Sequence, residues 1–264
     1  MTAEVSGEFH KRNAHFRCSI LLLSICKHRP QVVLVLIDFT AVTKVLAYCG
    51  FLQHSELSLP AIGVDGAVVH ALQESGLCFL WSEVDWPFQP RAMQQHAVQF
   101  HHVIAHMFDQ GAVVPFQLLS MFDDQPSLAT MVARHHSDFM GDLERLRGFV
   151  QMECVVYRQD ARPVADRGPA GVRLQPKTET AEIASYVAKM RSTLAGISPD
   201  VRTREIKSGA RIFALMERGS EENFHAVVAT VAIPDGLSRR TSGPRPASAF
   251  VTAPAKTPHL AEAK

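Results

Sequence analysis

Short apolar runs alternate with segments of helical spacing along the N-terminal part of the chain. The run from Thr43 to Leu52 is apolar and precedes a polar loop, which predicts a β-strand. Two β-prone runs then flank Glu74-Ser75-Gly76, and a tight polar break of this kind indicates a hairpin. Residues 91–109 have apolar side chains at every third or fourth position, which predicts an amphipathic helix. The positions on its apolar face are Met93, Ala97, Phe100, Ile104 and Met107.

The next stretch changes from an apolar run to an acidic break. Residues 112–119 predict a buried strand, which Asp123, Asp124 and Pro126 interrupt. Carboxylates at a helix start accept the free N–H groups of the first turn, and proline is tolerated there. Asp123 and Asp124 are therefore predicted to cap a helix, and the alternative is a catalytic or metal-binding carboxylate pair. The apolar face of that helix contains Leu128, Val132, His135, Phe139, Leu143 and Leu146.

Residues 149–157 alternate between apolar and polar side chains, which predicts a strand. Gln151 and Glu153 lie on one face, and Val150 and Met152 lie on the other. We expect Glu153 to be solvated, with a role as general base as the alternative. The order strand, hairpin, helix, strand, helix, strand predicts the α+β class. We expect a ferredoxin-like open sandwich, an antiparallel sheet with helices on one face, which residues 149–157 complete.

Composition divides the chain into predicted segments. They are an extension at residues 1–42, an N-terminal α+β domain at 43–158, a linker at 159–177, a smaller C-terminal α+β domain at 178–252 and a disordered tail at 253–264. The extension contains two apolar runs too short for a membrane span, and one hypothesis is that the native protein starts near Val42 or Thr43. The linker is rich in proline, glycine and charge.

The C-terminal domain is predicted to contain few elements. A helix is expected from about Thr180 to Leu194 and a strand at Ala210–Glu217, and residues 221–233 have a partly helical pattern. Gly243-Pro244 is typical of a turn. Arg239 and Arg240, just before it, are expected to be a solvated pair.

The charge balance excludes some classes of partner. Lys plus Arg number 27 and Asp plus Glu 26, a net charge of +1, so neither nucleic acid nor an acidic membrane is expected as the main partner. Neither apolar run near the N-terminus is long enough for stable membrane insertion. The five cysteines are widely spaced, which indicates buried thiols in a reducing compartment.

Histidines provide the one candidate metal site. His102 and His106 are four residues apart on the first predicted helix, and His135 is a possible third ligand. The segment His102–His106 lacks the glutamate of a zinc-protease motif, so we expect surface histidines and no metal. The sequence contains no nucleophile elbow, phosphate loop or dinucleotide fingerprint. We therefore expect no enzyme and no cofactor, with a metal-binding module or metal-dependent enzyme as the alternative.

Several stretches occur in an order that resembles one family. They are LAYCGFL, VHALQESGLCFLWSEVDW, AVVPFQLLSMFDDQPSLATMV, LERLRGFVQMECVVY, FALMERGSEENFHAVVATVA and SGPRPASAFV. Together they resemble the gas-vesicle protein L/F (GvpL/GvpF) family over about Lys44–Val251. The resemblance implies that Pro115, Phe116 and Phe122 form the heart of a signature strand. Likewise, it implies a shaped turn at Gly243 and Pro244 and a closing aromatic residue at Phe250.

The chain departs from the family pattern at several positions. Gln117 and Leu119 stand where the family usually has Arg and Gly, which implies the loss of a basic contact. Gln151 and Val155 replace a Glu and a Lys of the closing strand. Arg245 stands where an aromatic residue follows the Gly-Pro pair.

The resemblance implies a non-enzymatic role. Members resemble assembly accessories or minor structural proteins of gas vesicles, the gas-filled protein compartments of the cytoplasm. The implied partners are the apolar gas vesicle shell protein and other gas vesicle proteins. An exposed apolar patch or a free sheet edge is the expected contact. A small-ligand regulatory module is a further alternative, because open α+β sandwiches host such sites.

Overall fold

The computed structural model describes residues 41–53, 57–159, 177–207 and 209–253, with the backbone alone for 177–180. The chain divides into two compact units. The described residues of one unit are 41–43 and 85–88, in which the Trp86 and Phe88 rings meet edge to face with centroids 5.5 Å apart. The other comprises residues 44–84 and 89–264, and its described part contains every site discussed below.

The first sheet contains the predicted strand and hairpin. Its strands are β1 (Val42–Leu52), β2 (His70–Glu74), β3 (Leu77–Trp86), β4 (Val114–Pro115) and β5 (Met121–Phe122). The order is β2-β3-β1-β4, and β5 also pairs with β1. The hairpin turn at Ser75 and Gly76 has φ values of 48° and 87°, which fits a two-residue turn of primed type. Both the strand and the hairpin were predicted, and the structure confirms them.

Three helices accompany this sheet. They are α1 (Met93–Phe108), preceded by a 3-10 turn at Pro90–Ala92, α2 (Gln125–Arg134) and α3 (His136–Arg145). On α1, the predicted apolar face buries Phe100, Ile104 and Met107. The helix predicted after the acidic break is divided in two, because His135 has non-helical dihedral angles. The apolar spacing continues across this break, so that Val132 and Phe139 are both fully buried.

The second sheet has four antiparallel strands in the order β7-β8-β6-β9. They are β6 (Phe149–Arg158), β7 (Val201–Ile206), β8 (Gly209–Glu217) and β9 (Leu237–Arg245). The helices α4 (Lys177–Leu194) and α5 (Glu221–Thr230) connect them, and a 3-10 turn at Ser248–Phe250 follows β9. Buried apolar residues of this layer include Met190, Leu194, Phe224 and Val228 on the two helices.

The predicted positions of two segments in the sheets are wrong. The strand at Phe149–Arg158 does not complete the first sheet, because both of its edges pair within the second sheet, with β8 and β9. Alternation along one strand identifies its faces but contains no information about its neighbours. Residues Gly243 and Pro244 lie inside β9 rather than in a turn, at a β-bulge opposite Gln151 and Glu153. Proline is tolerated there because β9 is an edge strand.

Several predicted segments lie wholly or largely outside the described residues. Residues 1–40, almost all of the predicted linker and all of the predicted tail except residue 253 lie outside them. The α+β class with antiparallel sheets is confirmed. None of the helices in the described ranges combines the length and the apolar composition that a membrane span requires.

Candidate functional site

The signature segment lies in the core of the first layer. Pro115 and Phe122 pair with β1 opposite Cys49 and Val45, and the Phe116 N–H donates to the Tyr48 carbonyl at 2.8 Å. Instead of the predicted continuous strand, the segment forms two short ones, since a turn at residues 117–120 separates them. The Phe116 ring packs among three others, namely Phe79 at 6.2 Å, Phe139 at 6.0 Å and Phe122 at 6.5 Å.

The two aspartates of the acidic break make different contacts. Asp124 is the N-cap of α2, and its Oδ1 accepts a hydrogen bond of 2.9 Å from the Ser127 N–H. Hydrogen bonds from the side chain and backbone of Ser127 hold the pKa of Asp124 below its usual value. Asp123 makes an exposed ion pair with Lys44 on β1. The two carboxylates therefore serve the helix start and a strand contact.

The closing motif packs against the second sheet. Gly243 has φ of 133°, and a Cβ there would lie 2.6 Å from the Met152 sulfur. The Phe250 ring is fully buried with Leu146, Phe213 and Leu215. The closing aromatic residue is therefore a core residue of this layer.

Glu153 is buried, so the prediction of a solvated carboxylate is wrong. The side chain is 6% exposed, and its two oxygens lie 3.2 Å from Arg211 Nη1 and 3.9 Å from Arg245 Nη1. The Ser242 hydroxyl also donates to it at 3.2 Å. Alternation assigned Glu153 to the face opposite Met152, but the neighbours on that face come from β8 and β9.

An ordered segment with exposed apolar side chains lies beside the first sheet. We define the apolar ridge as Leu59, Ile62 and Val68, which are 44%, 66% and 60% exposed. Ile62 and Val68 stand opposite each other in an isolated antiparallel bridge. Residues opposite each other in such a bridge have neighbouring side chains. The two side chains therefore form one continuous apolar surface.

Buried contacts hold the apolar ridge in place from beneath. Val64, in the 3-10 turn at Val64–Gly66, is fully buried, and its N–H donates to the Tyr48 hydroxyl at 2.9 Å. Burial raises the pKa of Tyr48, so the phenol stays protonated and donates to Ser82 Oγ at 3.1 Å. These contacts fix the loop from below while Ile62 and Val68 face outward.

The loop is also fastened to α1 and to the turn that follows this helix. Gln110 accepts from the Ser58 N–H at 2.8 Å and donates to the Ser58 carbonyl at 2.9 Å. Further along, the Asp65 N–H donates to Gln99 Oε1 at 3.0 Å. An apolar surface on a fixed loop binds a partner without first ordering the loop, which makes it a candidate contact.

Sequence comparison decides the family. A family model described as "Gas vesicle synthesis protein GvpL/GvpF" matches residues 44–191, more than half of the chain. The chain belongs to the GvpL/GvpF family. No curated protein matches it in sequence.

Solved structures of similar fold include crystal structures of the gas vesicle protein GvpF. The crystal structure of GvpF from Anabaena sp. PCC7120 superposes with a TM-score of 0.63 at 12% identity, over 79% of this chain and 96% of that one. GvpF from Microcystis aeruginosa gives a TM-score of 0.61 at 13% identity, over 79% and 98%. At such identities the likeness shows a shared GvpF fold.

Two departures from the GvpL/GvpF pattern lie together in the turn between β4 and β5. Gln117 and Leu119 are both exposed, and the Gln117 N–H donates to Ser120 Oγ at 3.2 Å. The turn therefore presents an amide and an apolar side chain at its surface. Any partner that contacts this turn meets no cationic side chain at these two positions.

The histidines proposed as metal ligands in the alternative hypothesis are not brought together. His106 Nε2 lies 2.9 Å from the Ser58 carbonyl, and His135 Nδ1 lies 3.1 Å from Asp138. His102 is exposed on α1. Across the described ranges, no three histidine, cysteine, aspartate or glutamate side chains are grouped closely enough to hold a metal ion.

The described cysteines are buried free thiols. They are Cys49, Cys78 and Cys154. Burial raises the pKa of Cys154 to about 11, and it raises the pKa of Cys49 and Cys78 as well. These thiols stay protonated at neutral pH, which suits packing rather than nucleophilic attack.

The alternative of a small-ligand regulatory module requires a binding cleft, and the structure contains a candidate. Its volume is about 380 Å³, and it lies where the end of α1 meets the start of β6. Apolar side chains such as Phe51 and Met107 line it together with Arg147 and Arg218. The Arg218 guanidinium stacks on the Phe108 ring at 4.3 Å and donates to the Phe108 carbonyl at 2.9 Å. Arg218 thus joins the second sheet to α1.

Sequence reasoning missed the apolar ridge and the environment of Glu153. Val68 belongs to the β-prone run that precedes Glu74 in the sequence, but the first hairpin strand begins only at His70. The sequence shows only apolar residues within Leu59–Val68, interspersed with Gly63 and Gly66, and their exposure follows from the fold. For Glu153, the available signal was the presence of many arginines in later segments. Which of these arginines lie beside Glu153 depends on the order of the strands in the sheet.

Proposed function

We propose that this protein is a non-enzymatic accessory or minor structural protein in gas vesicle assembly, acting in the cytoplasm. Its proposed partner is the apolar shell protein, together with other gas vesicle proteins. Membership of the GvpL/GvpF family is the observation that carries this proposal.

The apolar ridge is the proposed contact with the shell protein. A shell protein with large apolar surfaces aggregates unless those surfaces are covered before polymerisation. Ile62 and Val68 offer a fixed apolar surface for that purpose, and burial of apolar area drives such association. The buried signature residues, in contrast, maintain the fold that presents the ridge.

Vesicle formation in a host that carries this gene tests the proposal. Deletion of the gene should reduce the amount of pressure-collapsible vesicles, and the wild-type gene should restore it. The double variant Ile62→Lys and Val68→Lys should fail to restore vesicles. The matched control Ile233→Lys, an exposed apolar position on the second layer, should restore them. Normal vesicle yield without the gene would refute the assembly role.

A further inference from the structure

One face of the second sheet concentrates arginine side chains. Strand alternation separates Arg239 from Arg240, so the predicted solvated pair is divided between opposite faces. Arg239 donates to the Tyr186 hydroxyl of α4 at 3.1 Å and to the Val231 carbonyl. Arg240 therefore lies on the face of the sheet that is turned away from α4. We call Arg204, Arg211, Arg240 and Arg245 of this face the arginine face.

The strand register aligns three of these arginines in one row across the sheet. Val155 on β6 is directly opposite Arg240 on β9 and Arg211 on β8. Arg211 is in turn directly opposite Arg204 on β7. With neighbouring strands about 4.8 Å apart, the row extends over roughly 14 Å. Like charges directly opposite each other destabilise a sheet, so Arg211 and Arg204 are an unfavourable pair in the free protein.

One carboxylate, that of Glu153, lies among these arginines, and it does not balance their positive charge. Glu153 pairs with Arg211 and Arg245, at 3.2 and 3.9 Å. Within the part of the chain that the structure describes, Arg240 and Arg204 have no carboxylate within salt-bridge distance. The arginine face thus has an excess of three positive charges on a chain whose net charge is +1.

Two nearby arginines, one on β7 and one on α3, have carboxylate and carbonyl partners, in contrast to Arg240 and Arg204. Arg202 pairs with Asp200 at 3.1 Å and donates to the Ala249 carbonyl at 2.8 Å. Arg145 pairs with Asp142 and donates to the Phe250 carbonyl. On the arginine face a cavity of about 310 Å³ opens instead over Glu153, Val155 and Arg240.

We propose that the arginine face binds an acidic, extended segment of a partner protein. Carboxylates of such a segment would pair with Arg240 and Arg204, and guanidinium groups favour bidentate contacts of this kind. The apolar Val155 in the row and the half-exposed Tyr157 beside it suit an uncharged side chain between two acidic ones. An extended segment of about five residues spans the row.

The same residues disfavour nucleic acid as the occupant. A phosphate backbone carries a charge at every step, and the buried Glu153 carboxylate in the floor of the face repels it. Nearly balanced overall charge also gives no long-range attraction for a polyanion. A peptide can instead place an uncharged residue over Glu153.

Fluorescence anisotropy on the full-length protein tests this proposal. The probe is a fluorescein-labelled peptide of about nine residues with glutamate at alternate positions and serine between them. The variants are Arg240→Glu and Arg204→Glu, which break no ion pair of the described chain. Lys189→Glu on α4, exposed on the other side of this sheet, is the matched control, because it makes the same change of charge. Circular dichroism verifies the fold, and Arg240→Gln replaces Arg240→Glu if the latter is unfolded.

We expect both arginine variants to weaken peptide binding about tenfold or more, and Lys189→Glu to change it less than about twofold. Binding should also weaken as salt is raised. Absence of peptide binding, or equal effects of Arg240→Glu and Lys189→Glu, would overturn the proposal. Tighter binding of an oligothymidylate of equal charge would identify a nucleic-acid surface and overturn it as well. The assay contains no shell protein, so its outcome is independent of the proposed assembly function.

Discussion

The backbone N–H of Thr252 donates a hydrogen bond of 2.7 Å to Oδ2 of Asp142, which joins the segment after β9 to helix α3. The same carboxylate accepts from the Ala253 N–H at 2.8 Å and from the Thr252 hydroxyl at 2.9 Å. The Asp142 side chain is 1% exposed and also pairs with Arg145. The buried Asp142 carboxylate therefore connects α3 of the first layer to the segment that follows β9 of the second layer.

Replacing Asp142 should destabilise the protein in a pH-dependent way. Burial alone raises the pKa of Asp142, but the N–H groups of Ala253 and Thr252 and the Arg145 guanidinium outweigh it and hold the pKa below its usual value. Because the unfolded-state pKa is about 3.9, this stabilisation is complete above about pH 4 and is lost as the pH falls through the folded-state pKa. Asp142→Asn should lower the free energy of unfolding by about 1.5–3 kcal/mol at pH 7.

Denaturant titrations of the wild type and Asp142→Asn at pH 7 and at pH 3 measure this effect. The difference between the two proteins should be smaller at the lower pH. Glu144→Gln, exposed on the same helix, is the control and should stay within about 0.5 kcal/mol of the wild type. If the difference in unfolding free energy between the wild type and Asp142→Asn is larger at pH 3 than at pH 7, the ionised carboxylate of Asp142 is not the stabilising form.

Truncation of Phe116 should be costly because its ring fills the space among three other aromatic rings. We expect Phe116→Ala to lower the free energy of unfolding by about 3–5 kcal/mol. Leu119→Ala in the same segment, where the side chain is 52% exposed, should change it by less than about 0.5 kcal/mol. Similar losses for the two variants in urea melts would mean that Phe116 is not a core residue.

The two aspartates of the acidic break should differ in their effect on helix α2. Asp124→Ala removes the oxygen that accepts from the Ser127 N–H, whereas Asp123→Ala removes only an exposed ion pair. The first variant should lower Tm by about 2–4 °C and the second by less. Calorimetry on both proteins at neutral pH makes the comparison. An equal or larger effect of Asp123→Ala would contradict the capping role of Asp124.

Two glycines should respond to alanine in opposite directions. Gly243 has a positive φ of 133°, and a Cβ there would meet the Met152 sulfur at 2.6 Å and the Gln151 carbonyl oxygen at 2.9 Å. Gly243→Ala should therefore destabilise the protein by about 1–3 kcal/mol. Gly141 lies within α3 with open space around it, so Gly141→Ala should stabilise by about 0.5–1 kcal/mol. Thermal melts that show the same sign for both would refute this account of Gly243.

Elements that depend on local pattern could be predicted from the sequence. The strand β1, the hairpin turn at Ser75-Gly76 and the apolar face of α1 follow from periodicity and turn residues within a few positions. The strand β7 was missed, because Val201–Ile206 is an edge strand with charged side chains and no apolar run.

Features that depend on the order of strands could not be predicted. Alternation placed Glu153 on the correct face, but its burial comes from Arg211 and Arg245, which are far away in the sequence. Likewise, the strand β6 was assigned to the first sheet although both of its partners follow it in the chain. The apolar ridge depends on contacts of its loop with Tyr48 and α1, which no local pattern reveals.

Retention of the shell protein tests the central claim most directly. The full-length protein, tagged and co-expressed with the gas vesicle shell protein of the same genome, would be isolated with and without EDTA. We predict that the shell protein is retained in both cases and is lost from the double variant Ile62→Lys and Val68→Lys, but not from Ile233→Lys. Failure of the folded wild-type protein to retain any shell protein would contradict the account, and retention only without EDTA would favour the metal-binding alternative.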